Sequence, residues 1–254
     1  MSSSLLPVWF DRASATLIFA LGIYLVAVHT VLAALAAERS ALSRRSRALV
    51  PFFVGLFLAT WLGIGIMSGD GRNFASDGDG LDRSLAIAIG FGPLVVAIAL
   101  LFFTRTMRAI DAATPPDWLV RVQIYRAAGF MFLFPFLYYG VLPAGFAIPA
   151  AVGDFLTGIA APTVARHVAE RRPGAFKLAR AWNLFGIADL IVAPTAAVLT
   201  HAQVFAIYPL VLVPLFIGPP LGILTHIHSL RNLATAFHST PESPSTSPSA
   251  VGVT

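Results

Sequence analysis

The sequence predicts an all-α fold: a polytopic transmembrane bundle of seven helices, N-terminus outside and C-terminus cytoplasmic. Three observations predict it: the composition, a succession of seven apolar runs, and a one-sided distribution of basic residues. Of 254 residues, 57% are apolar and 11% are charged, whereas soluble domains carry about 25% charged residues. Mean hydropathy is +0.80. The excess of apolar side chains finds its ordinary solvent in a bilayer.

The elements follow in order. Residues 1–13 form a short extracytoplasmic tail ending in Trp9, Phe10, Asp11 and Arg12. With no basic n-region and no A-x-A site near the first apolar run, no removable signal peptide is expected. Helices are expected at about 14–37, 48–68, 85–104, 122–142, 148–165, 179–199 and 204–228, and residues 14–232 make one domain. Most are close to the ~20 apolar residues that cross the hydrocarbon. Pro149 suits the first turn of helix five. Pro209, Pro214, Pro219 and Pro220 predict a seventh helix that is kinked or broken. Residues 239–254, from Ser239 to Thr254, have little to bury and read as a disordered cytoplasmic tail.

The charges orient this path. Arg39, Arg44, Arg45 and Arg47 lie in one loop, and Arg105, Arg108, Arg121 and Arg126 in the next of the same side. Arg166, Arg171, Arg172, Lys177, Arg180 and Arg231 complete fourteen basic residues on that side, against Arg12, Arg72 and Arg83 on the other. The positive-inside rule makes the first side cytoplasmic. A net charge of +5 is then a topology signal; no nucleic-acid partner is expected. Trp9, Tyr138, Tyr139 and Tyr208 fall at the outer boundary, and Trp118, Tyr125 and Trp182 at the inner one, as an aromatic belt.

Chemistry-bearing residues are few. The chain has no cysteine, which excludes disulfides, thiolate metal sites and thiol nucleophiles. Asp154 and Asp189 fall inside the expected spans, where an ionisable group costs ~2.5–3.5 kcal/mol and normally faces the bundle interior. Asp154 shares a stripe with Ala150, Thr157, Gly158 and Ala161, and Asp189 shares one with Trp182, Gly186, Ala193 and Ala196. Small residues let membrane helices approach closely. The two carboxylates are therefore expected near one another, sharing a proton or a cation; the alternative is that each is protonated and hydrogen-bonded between helices. Asn183 and His226 are expected at the cytoplasmic ends of helices six and seven, close enough to hydrogen-bond, with His226 well below the acids. His29 is a candidate for the polar interior of helix one. His226 and His228 point apart on a helix and make no two-histidine metal pair. The acidic run at Asp77 and Asp79 reads as a flexible loop, since it lacks the last ligand of a calcium loop. No metal site is expected.

No cofactor is expected either. The single lysine lies in a loop, which excludes a retinal Schiff base, and there is no phosphate-cradling glycine motif, G-x-S-x-G or H-E-x-x-H.

The tracts LPAGFAIPAAVGDFLTGIAAPTVA (142–165), WNLFGIADL (182–190) and PLVLVPLFIGPPLGILTHIHSL (209–230) resemble those of a family of bacterial multi-pass membrane proteins without assigned activity. The resemblance covers about residues 123–232. It implies a multi-pass protein of the bacterial cytoplasmic (inner) membrane and says nothing of chemistry. Together these readings point to a small-solute or proton-linked transporter with a polar site among helices five to seven. The expected partners are the lipid bilayer and a small solute or proton; oligomeric state is not readable. The alternatives are an intramembrane enzyme, metal-dependent or not, built on Asp154, Asp189 and His226, and a membrane sensor or assembly subunit without turnover.

Overall fold

The computed structural model describes residues 6–68, 92–100, 103–202, 204–207, 210 and 217–238. Helix α1 is Val8–Arg39 and α2 is Arg44–Ser68. The short helices α3 (Gly92–Leu100) and α4 (Arg105–Ala113) meet at 85°. Then come α5 (Pro116–Val122), a 3-10 segment Gln123–Phe132, and α6 (Leu133–Leu137). Helices α7 (Ala144–Ala169) and α8 (Ala175–Leu199) form a hairpin, and after a 3-10 turn at Val204–Ile207 the chain ends in α9 (Gly218–His238). The described residues contain no strand. Helices α1, α2, α7 and α8 are long and apolar enough to cross a membrane, and α3 with α4 would add a fifth span if the bent pair is one crossing. At 1.5 Å per residue each of the four is about 37 Å or longer, against a hydrocarbon core of ~30 Å.

The expected bounds need correction at several ends, at some of them because charged residues that are good helix formers extend a helix beyond its apolar run. Helix one starts at Val8, directly after the extended Pro7, and runs through Glu38 and Arg39. Its end is closed by the Ser40 hydroxyl, which donates to the Ala37 carbonyl at 2.7 Å. Helix five starts at Ala144, because Pro143 holds the extended backbone before it, so Pro149 is interior and not at a first turn. Helix six starts at Ala175, after Gly174 at φ 78° reverses the chain. That left-handed angle suits a residue without Cβ. Helix seven is displaced furthest: its last helix runs Gly218–His238, ten residues beyond the expected end. Pro219 and Pro220 open α9 and do not interrupt it. Pro209 and Pro214, the first seven residues of expected helix three, the Asp77 loop, Tyr208 and the tail from 239 lie outside the described residues.

Packing is sequential around α7. This helix packs on the 3-10 segment, on α5 and on α8; α8 packs on α9, and α1 on α2. One apolar core joins Leu25, Trp61, Phe132, Phe146, Ile207 and Leu221. Another joins Val120, Ala161, Val164, Trp182 and Leu233 near the α7–α8 turn. Large apolar side chains also face outward, among them Ile23, Phe52, Phe53, Leu56, Ile191 and Val192. Contiguous apolar exposure of this kind on long helices fits a lipid surround. Trp9 and Tyr138 share it, at 66% and 72% exposure. Tyr125 and Trp182 do not form an inner belt: both turn into the bundle.

The α4–α5 corner is tied to α9 by Asn232, whose Nδ2 donates to the carbonyls of Asp111 and Thr114 at 2.7 Å each. Beside it Arg231 pairs with Asp111 at 3.1 Å, and His228 Nε2 lies 2.5 Å from the same carboxyl, out of hydrogen-bonding alignment. Asn232→Ala would take the amide donor from two helix-end carbonyls, of which that of Asp111 keeps the Thr114 N–H at 3.1 Å, at a cost of ~1–3 kcal/mol. A lower melting temperature in detergent is expected; an unchanged one would show that water replaces the amide.

Candidate functional site

The bundle interior is organised by a residue expected in a loop. Arg126 is 2% exposed. Its guanidinium sits between the two acids: Nε donates to Asp154 Oδ1 at 2.6 Å, and Nη2 donates to Asp189 Oδ2. Nη1 donates to the Gly186 carbonyl at 3.3 Å and lies 3.1 Å from His226 Nε2. The carboxylates are close, as their faces suggested, but what stands between them is a fixed cation of the protein. The placement of Arg126 among the cytoplasmic basic residues is therefore corrected.

Two features of the backbone put it there. The fourth apolar run begins earlier than expected, at Pro116, with Pro115 extended before it. Arg126 is thus about 17 Å along the span, from rises of 1.5 Å per α-residue and 2.0 Å per 3-10 residue. The 3-10 segment also has three residues per turn, so positions three apart eclipse. Gln123, Arg126 and Phe132 are three apart or multiples of it, and all are buried. The third such position, Gly129, leaves space for Asp154, whose Cβ would be 2.3 Å from a Cβ at 129. The opposite sides of the site have the same character. A Cβ at Gly153 would be 1.7 Å from Asp189 Oδ1, and one at Gly186 would be 2.3 Å from His226 Nε2.

Beyond Arg126 the network continues to α8 and α9. His226 Nδ1 is 2.9 Å from Asn183 Oδ1, while Asn183 Nδ2 donates to the Ala179 carbonyl at 2.8 Å and to Ser229 Oγ at 3.1 Å. These partners assign the imidazole. Arg126 can only donate, so Nε2 accepts; Asn183 Oδ1 can only accept, so Nδ1 carries the proton. The ring is then neutral and supplies no charge. Trp182 covers it, with ring centroids 4.9 Å apart, and donates its indole N–H to the Thr157 carbonyl at 3.1 Å. The expected depth of His226, well below the acids, is corrected: with α9 running to His238 the residue lies mid-helix, level with Arg126. Its approach to the acids is mediated by a guanidinium, so Asp154, Asp189 and His226 do not present three open ligands to one point. Among the described residues no three acidic, histidine or cysteine side chains gather as a metal-ligand set.

His29 is not part of this network. Its Nδ1–H donates to the Leu25 carbonyl at 2.8 Å, and its Nε2 is 3.5 Å from Thr225 Oγ1 on the other face of α9. It lines a separate apolar cavity with Trp61 and His228.

Above the ion cluster lies a cavity of about 100 Å³. Its floor is Arg126, Asp154 and Asp189; its walls are mainly apolar and include Tyr125, Phe132 and Phe146. Tyr125 is fixed by its hydroxyl, which donates to the Gly218 carbonyl at 3.3 Å, and the Gln123 amide donates to the Gly222 carbonyl at 3.3 Å. Sequence reading missed Arg126, Gln123 and Ser229. The signal for the first two was present: both lie between Trp118–Val122, apolar but for Arg121, and the apolar stretch Ala127–Phe136.

A family described as a domain of unknown function (DUF8737) matches residues 84–234, more than half of the chain, and contains the whole cluster. No curated protein and no solved structure matches.

Proposed function

We propose, for a chain that belongs to the DUF8737 family, that it is a proton-linked transporter of a small solute, with the Arg126–Asp154–Asp189 cluster as its binding site. The observation that carries this reading is a buried guanidinium paired with two carboxylates at the floor of a cavity among apolar helices. Charges at such depth are costly, and in membrane proteins they mark solute and proton pathways. His226, Asn183 and Ser229 form a second shell that holds the guanidinium in place, and Tyr125 closes one wall. The 3-10 segment that carries Arg126 is a strained form for ten residues, and such stretches are found at hinges. It gives the site an element able to change pitch during transport.

The same proposal places seven crossings in a bacterial cytoplasmic membrane, N-terminus outside and C-terminus inside. Thirteen basic residues still favour one side once Arg126 is removed from the count of fourteen. Contacts between distant basic segments support a common end: Arg39 stacks over Trp118 at 4.3 Å, and Arg231 pairs with Asp111.

The test is proton movement in proteoliposomes carrying a lumenal pH dye, under an imposed pH gradient, across a panel of amines, amino acids, sugars and organic acids. At least one class should discharge the gradient through the wild type, and Asp189→Asn should reduce that rate at least tenfold. If no class does so through folded wild-type protein, the transporter reading is wrong.

A further inference from the structure

We infer that the solute is a small protonated amine with an apolar body, and that it exchanges for a proton at the Asp154–Asp189 pair; this rests on the transporter reading above. The first ground is charge. Arginine keeps its proton in proteins, and the partners of His226 leave that ring neutral. One fixed positive charge therefore faces two carboxylates, and the cluster is one negative charge in excess unless it takes up a single cation. Among the described residues, the titratable and charged groups that face the pair from the packed elements are Arg126 and Tyr125 from the 3-10 segment and His226 from α9. Helix α1 faces the cavity with Ile18 and Leu21. None of these supplies the missing charge.

The second ground is hydrogen bonding. Each acid gives one oxygen to Arg126. Asp189 Oδ1 and Asp154 Oδ2 receive no donor from the described residues; both acids line the cavity, with side chains 8% and 20% exposed. Both oxygens are therefore open to a donor that enters the cavity. One proton, shared or held on one acid, satisfies both the charge and an acceptor. An ammonium N–H does the same, so the two ligands compete for one place.

The third ground is the wall. Tyr125, Phe132 and Phe146 contribute aromatic surface to the wall of the same cavity. Such surface attracts a cation and accommodates an apolar body. An anion is disfavoured, because the guanidinium that would receive it is already paired twice. A neutral solute would leave the excess charge uncompensated.

The experiment is titration calorimetry of purified protein with benzylamine, benzyl alcohol and benzoate, which share a ring and differ in charge. Buffers of different ionisation enthalpy count the protons released. Benzylamine should bind and release about one proton, and its affinity should rise with pH, by up to about tenfold per pH unit, for as long as binding displaces that proton. The alcohol and benzoate should bind at least tenfold more weakly. Asp189→Asn, which leaves a neutral Arg126–Asp154 pair, should keep its melting temperature and lose amine binding. Equal binding of the alcohol or benzoate, amine binding without proton release, or an Asp189→Asn variant that binds like the wild type would each overturn the inference. The two readings fail separately. If benzylamine binds with proton release yet drives no proton movement in proteoliposomes, the transporter reading falls and the amine site stands. If another solute moves protons and benzylamine does not bind, the amine inference falls and transport stands.

Discussion

Arg126→Met is expected to leave little folded protein. Removing one partner of a buried ion pair costs ~3–5 kcal/mol, because the remaining charge stays buried without compensation. Here two carboxylates would be left, together with a His226 nitrogen that loses its donor. Total stabilities are only ~5–15 kcal/mol, so this one substitution takes a large share. The origin of the loss can be tested by restoring neutrality. In Arg126→Met/Asp154→Leu/Asp189→Leu the charges are gone and the space is filled by apolar groups. Exchange of a buried triad for apolar residues is commonly neutral or stabilising by ~1–4 kcal/mol. The triple variant should therefore recover a monodisperse elution profile and most of the wild-type melting temperature, while being unable to move protons. An Arg126→Met protein as stable as the wild type would show that the ion cluster does not hold the bundle together.

Gly158→Ala is expected to be the most damaging glycine-to-alanine change among the described residues, because its clash is with backbone. A Cβ there would lie 2.1 Å from the backbone nitrogen of Ala127 and 2.7 Å from its Cα. No rotamer change relieves a clash with backbone, so α7 and the 3-10 segment would have to separate. Overpacking of a close-packed interior costs ~1–3 kcal/mol, and more where the backbone must move. The separation would also pull Asp154 away from Arg126, now 2.6 Å apart, since Ala127 and Arg126 are adjacent. Both the melting temperature and solute-driven proton movement should fall. Gly63→Ala is the control: a Cβ at Gly63 meets nothing within 4 Å. Alanine is the better helix former by ~0.5–1 kcal/mol, so that variant should be at least as stable as the wild type. Equal effects from the two changes would mean that the Gly158 contact is not tight.

The acids and their faces were legible because their signal is local. Asp154 and Asp189 stand out in apolar runs, and helical periodicity puts each on a stripe of small residues. Asn183 and His226 were legible as polar members of neighbouring helices. Arg126 was not, since a basic residue at the edge of an apolar run is read as a loop charge. Three facts that only the folded chain shows were needed to see it otherwise: the span opens at Pro116, residues 123–132 wind as a 3-10 helix, and Gly129 leaves room for Asp154. The depth of His226 was misjudged for a related reason. The end of α9 was placed where the apolar residues stop, whereas the helix continues through Arg231 and Asn232, which bind the α4–α5 corner.

The sequence by itself determined the helical fold and helices long and apolar enough to cross a membrane. Apolar content and the period of the runs act residue by residue, and a backbone in hydrocarbon must satisfy its own hydrogen bonds. It also determined that two carboxylates would lie inside. Only the tertiary structure decided what stands between them. The partner that sets their charge comes from a segment at least 28 residues away from either acid. A charge balance is a property of the groups that packing brings within a few ångströms, not of any one helix.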